Sequence, residues 1–221
     1  MKPSFASTTL AGLLIGALLL TPLATLAEST STTSAASGST ATARLDFTVV
    51  IPAVLYLRIG TGSGVGATNN TTVDAINFTV PAGNVGDGTV INAAAASGDL
   101  TNGAVTVRVF SNVGSNVTLN SSVTGQLSNG SGDTIPWAQI GVAAAALTTG
   151  TSGYTNGAIT HPTFSATTGA GTATTLTAAS KLVRQEGRWT FTYTNANVVP
   201  AGTYGATVAN NGRVTYTATQ L

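Results

Sequence analysis

From Val105 to Val109, and again from Trp189 to Tyr193, a large apolar side chain falls on every second residue. Thr106, Arg108, Thr190 and Thr192 stand between them. A period of two belongs to a β-strand with one buried face, because successive side chains leave the pleat on opposite sides. Leu45, Phe47, Val49 and Ile51 repeat the pattern ahead of Pro52, which has no N–H to give a ladder. The sequence predicts further strands over Ala53–Ile59, in "TVDAINFTVP" with a bulge near Ala75, in "NVTLN" and in "GTATTLTA". The short Asn/Gly turn between "GAVTVRVF" and "NVTLN" predicts a hairpin. Asn-Gly pairs at 102–103, 129–130, 156–157 and 211–212 mark turns. The Ala-rich runs at 93–97 and 141–147 are short and Gly-flanked, and read as strand ends or loops rather than helices. The expected fold class is all-β, an Ig-like antiparallel β-sandwich, with a closed barrel as the architectural rival.

The two ends of the chain differ in character. Residues 1–27 carry one Lys, an apolar run from Leu10 to Leu20, and small residues at Thr25 and Ala27, the layout of a cleaved signal peptide. The apolar run is short for a transmembrane helix and no second one follows, so no membrane span is expected in the mature protein. Residues 28–43 are a Ser/Thr/Ala leader with no large apolar side chain to offset chain entropy. Residues 44–221 then read as a single sandwich domain. Near the C-terminus, "VVPAGTYGATVANNGRVTYTAT" predicts two strands around a tight turn. Within it Pro200 would fix φ, Gly202 would supply turn freedom, and Tyr204 would open the penultimate strand. Together they read as a tyrosine corner, with the phenol bonded back to upstream backbone.

Charge and cysteine usage remove whole classes of function. Charged residues make up 7% of the chain, and the eight basic ones are spread along it, which excludes a phosphate-neutralising surface and hence nucleic acid as a partner. With no Cys, a disulfide framework, a thiolate metal site and a Cys nucleophile are all ruled out. His161 is the single histidine, and no G-x-S-x-G elbow accompanies it, so it reads as a loop residue rather than a catalytic base. The Gly-rich stretch at 60–66 fits neither a dinucleotide nor a Walker pattern. Asp87, Asp99 and Asp133 lie singly in Gly-rich turns, where an acid is normally turn chemistry rather than a calcium ligand. Lys181, Arg184 and Arg188 form the one basic cluster, with Glu186 among them. It reads as a solvated face, with a docking patch as the sharper alternative. No catalytic, metal-binding or cofactor-binding residue is therefore expected, and no enzymatic activity.

The alternating N-terminal strand, the Thr/Val/Asn-rich strands and the Gly205…Tyr216 run into the last strand resemble secreted Ig-like proteins of bacterial surfaces, loosely the chaperone–usher fimbrial subunits. The ending also resembles that of a family of proteobacterial exported proteins, a likeness that implies no activity. The fimbrial resemblance implies a subunit that works by strand exchange. This chain departs from it in lacking the Cys pair and in continuing for five residues, "TATQL", beyond Tyr216. The expectation is an exported structural or interaction protein of the periplasm or cell surface, self-associating or joining other surface subunits by sheet-edge pairing. Leu45, Phe47, Val49 and Ile51 would be either its donor strand or its own first strand. The alternative is a monomeric periplasmic or extracellular module binding carbohydrate or protein.

Overall fold

The structure is a computed structural model and describes residues 29–33, 36–62 and 68–221. The signal-peptide segment 1–27 and residues 63–66 of the Gly-rich stretch lie outside the described residues. Contacts divide the chain after Ile51 into a part ending there and a compact unit, Pro52–Leu221. The sequence pattern puts the start of the domain at Arg44, eight residues earlier.

The compact unit is all-β. Its described residues form twelve strands: β1 (Leu55–Ile59), β2 (Ile91–Asn92), β3 (Ala104–Ser111), β4 (Val117–Val123), β5 (Leu127–Ser128), β6 (Thr134–Ile135), β7 (Ile140–Ala145), β8 (Thr155–Asn156), β9 (Gly169–Ala170), β10 (Thr174–Leu176), β11 (Val183–Tyr193) and β12 (Val214–Gln220). The Ala-rich run at 141–147 supplies most of β7, and the run at 93–97 is a turn, so neither makes a helix.

β11 is the spine of one sheet. One of its edges takes β3 along Val183–Thr190 and then β2 at Thr192–Tyr193. Its other edge takes β7 along Arg188–Tyr193 and β8, in parallel, at Gln185–Glu186. β1 pairs with the far side of β3. In the second sheet β4 is central, with β12 along all seven of its residues on one side and β10 and β9 on the other. β5 and β6 form a separate ribbon. The sheets face each other over one core. Val105, Val107 and Val109 of β3 and Val183, Trp189 and Phe191 of β11 meet Val117 and Leu119 of β4 and Leu176 of β10. This is a sandwich with open edges, not the closed barrel.

Three expectations need correcting. β3 and β4 do not form a hairpin: β1 and β11 already occupy both edges of β3, so the chain at 112–116 crosses to the other sheet. The stretch 198–207 forms no strand ahead of the turn at 208–211, and the terminal stretch yields β12 alone, paired with β4. Tyr204 therefore opens no strand. In "TVDAINFTVP" no bulge is needed, because Asp74, Ile76, Phe78 and Val80 form one half-buried row and Val73 and Ala75 are exposed. That row is extended without a ladder of its own. It is tied by Ala94 N–H to the Asn77 carbonyl at 2.8 Å and Gly98 N–H to the Ala75 carbonyl at 3.2 Å.

Candidate functional site

Four side chains that sequence periodicity marks for burial are not buried. Leu45, Phe47, Val49 and Ile51 are 73%, 87%, 82% and 76% exposed, and the stretch 44–51 is assigned to no strand. Its alternation is that of a strand, but among the described residues it pairs with no strand.

The edge at β12 is the second element of the candidate interface. Among the described residues β12 pairs with β4 and nothing else. Val214, Tyr216, Ala218 and Gln220 face inward yet are only half-buried, and Thr215, Thr217 and Thr219 are exposed. Natural edge strands are usually protected by a charge, a proline or a bulge. The β12 sequence, VTYTATQ, has no charged residue and no proline.

The outer face of the first sheet carries a different cluster. Strand register sets Tyr56, Phe110 and Arg184 side by side on β1, β3 and β11. With Val54 and with Ser152, Gly153 and Tyr154 of the loop before β8 they line an open cleft of about 440 Å³. An ion pair lies beneath that loop. Arg108 Nη2 is 2.8 Å from Glu186 Oε2, with side-chain exposures of 4% and 0%. The carboxylate accepts the Thr151 N–H and the guanidinium donates to the Thr151 hydroxyl, so the pair holds the loop down. Arg108 also lies over the Tyr154 ring, 4.7 Å from its centroid. Burial pushes the Tyr154 phenol up.

His161 stands where the two sheets meet. Its backbone is in a loop as expected, but its ring is half-buried among Trp189 at 4.5 Å, Phe164 at 4.7 Å, Tyr216 at 5.6 Å and Phe191 at 5.9 Å between centroids. Its Nε2 and the Tyr216 hydroxyl are 2.8 Å apart. Desolvation pulls the imidazole down to about 4, opposed in part by a hydrogen bond involving the Pro162 backbone, and the same burial pushes the Tyr216 phenol far above its ordinary range. Beside this cluster, Trp137, Ile140, Val142 and Phe164 line a second cleft of about 340 Å³. Through the Tyr216 hydroxyl and the packing on Trp189, the His161 ring links β12 to the core.

The remaining candidates are scattered. The Tyr204 hydroxyl donates to the Pro200 carbonyl at 2.8 Å, and Gly202 lies exposed between them. Asp87 accepts Thr89 N–H and Asn84 Nδ2, and these bonds hold its carboxyl below the usual range. Asp99 accepts Thr106 N–H at 2.8 Å and pairs with Arg58 at 3.1 Å. Asp133 accepts Asn129 Nδ2. Among the described residues no three His, Cys, Asp or Glu side chains gather as a metal would require. Lys181 and Arg184 are exposed and Arg188 is half-buried, so the basic run does not form one patch. Sequence reading missed Asn195. It is 2% exposed, and its side-chain oxygen accepts Gly86 N–H at 3.0 Å, pinning the turn at 84–88. A lone Asn after a strand gives no signal of that role.

No helix among the described residues is long and apolar enough to cross a membrane. Compared with protein families, curated proteins and solved structures, the chain finds no match.

Proposed function

We propose that this chain is an exported structural subunit of Ig-like type, acting in the periplasm or on the cell surface. It assembles by strand pairing rather than by catalysis. The segment Leu45–Ile51 of one copy adds to the β12 edge of the next. The observation that carries this reading is the exposure of all four alternating apolar side chains in a segment with strand periodicity. The lengths agree as well: the segment and β12 each have seven residues, a run of roughly 23 Å at strand rise. An incoming row of Leu45, Phe47 and Val49 would cover what Val214, Tyr216 and Ala218 leave open.

The energetics favour a specific pairing over loose adhesion. Full burial of four such side chains is worth about 6–12 kcal/mol gross. Association costs about 4–15 kcal/mol in lost freedom, so apolar contact alone roughly breaks even. The backbone ladder must supply the rest, which is why an unprotected edge matters. Light scattering tests the proposal. The mature protein is expected to form oligomers whose size grows with concentration. A variant lacking residues 44–51 is expected to stay monomeric and keep its β-rich circular dichroism. Undiminished oligomers in the deletion variant would overturn the reading, and so would a mature protein that is monomeric throughout.

A further inference from the structure

The cleft on the outer face of the first sheet does not take part in strand pairing, and its construction needs a separate explanation. A sheet face turned to solvent commonly carries Thr, Lys or Glu, yet here three aromatic rings, Tyr56, Phe110 and Tyr154, line one cleft together with a cation, Arg184. Of the other three arginines of this sheet, Arg58 pairs with Asp99 and Arg108 with Glu186, while Arg188, four residues further along β11, is half-buried. Arg184 is exposed and makes no ion pair with another described residue. With Glu186 paired to Arg108, Arg184 is the charged side chain that lines the cleft.

The cleft wall is preorganised. Thr151 is tied to both members of the buried ion pair, and Tyr154, three residues on, is held between Arg108 and Phe110, whose ring lies 6.5 Å from it. Gly153 at the rim has a φ of +87° and nothing within 4 Å of where a Cβ would stand, so the mouth is open there. The volume of about 440 Å³ falls within the usual range for small-ligand sites.

Flat, half-exposed aromatic faces stack on the C–H faces of a pyranose ring, and a guanidinium recognises a carboxylate. The geometry points to a binding site for a carboxylated sugar, one uronate unit of an acidic glycan. Its ring lies on Tyr56, and its carboxylate meets Arg184.

Titration of the purified protein with trigalacturonate, followed by amide chemical shifts, tests this. Maltotriose serves as the neutral sugar and triglutamate as the carboxylate without a sugar face. Saturable millimolar binding of trigalacturonate is expected, with shifts centred on residues 54–56, 110, 152–154 and 184. Maltotriose and triglutamate are each expected to bind at least about tenfold more weakly. Arg184→Gln, an exposed substitution, is expected to weaken trigalacturonate about tenfold without moving the melting temperature, and Tyr56→Ala to weaken it similarly. Free galacturonic acid is expected to compete at the same residues, more weakly than the trimer. The proposal falls if trigalacturonate gives no saturable shifts, if the shifts lie elsewhere, if Arg184→Gln binds as well as the wild type, or if either control binds as tightly.

Discussion

At the scale of single residues, His161 makes the fold sensitive to acid. Its folded-state value of about 4 lies below the ordinary 6.5, so between these the unfolded chain holds the extra proton. The contribution is complete above about pH 6.5, declines as pH falls towards 4, and is flat below that. The full shift corresponds to at most about 3 kcal/mol. Urea denaturation across this range is expected to show stability rising with pH. His161→Gln should flatten that rise while costing stability at neutral pH, because the Tyr216 contact and the stacking against Trp189 are lost. A slope unchanged in the variant would assign the acid sensitivity to another group. Trp189 is fully buried, and its indole N–H donates to the Ile159 carbonyl at 2.7 Å. Trp189→Ala is expected to cost about 3–5 kcal/mol, read from the same denaturation curves.

At the scale of elements, β11 carries the sheet and has the least freedom to change. Gly187 sits where β11 meets β3, with β7 and β8 at hand on its other side. A Cβ there would lie 2.2 Å from the Gly157 carbonyl oxygen and 3.0 Å from that of Ala145. Gly187→Ala is therefore expected to cost about 1–3 kcal/mol through overpacking, seen as a lower denaturation midpoint. The buried pair gives a sharper test. Glu186→Ala leaves Arg108 without its counter-charge and frees the 149–154 loop, a loss of about 3–5 kcal/mol. The double change Arg108→Met/Glu186→Leu should recover most of that loss, since neither charge then remains to be desolvated. Recovery failing in the double variant would show that loop anchoring, not charge burial, dominates.

The same elements show how far the sequence could be read. The inward rows of β3 and β11 were legible because period two is a local property. Their second faces were not. Arg108 and Glu186 read as solvent-facing, yet both are buried, because the loop around Thr151, distant from each in sequence, folds over them. Pairing partners were equally hidden. "VTYTAT" looks like half of a local hairpin, but β12 finds β4, about a hundred residues earlier. Asn-Gly and Pro-x-Gly-x-Tyr specify how the chain turns, not which strand lies beyond. His161 was legible as a loop residue, while its aromatic surroundings come from strands that no local pattern connects to it.

At the scale of the whole molecule, strand pattern and strand partner do not match. Leu45–Ile51 is patterned as a strand, and β12 offers an edge without charge or proline. In the proposed assembly each copy supplies what another lacks, an arrangement that propagates head to tail. A synthetic peptide of residues 44–51, added in excess, is expected to cap the edge and shorten the oligomers by competition. Longer or unchanged oligomers would count against β12 as the acceptor. The most direct measurement is amide hydrogen exchange over residues 45–51 at two protein concentrations. Strand donation predicts slow exchange in the concentrated, assembled protein and fast exchange after dilution to monomer. Fast exchange at both concentrations would mean that the segment pairs with nothing, and slow exchange at both that it belongs to its own protomer's fold; either result would contradict the account.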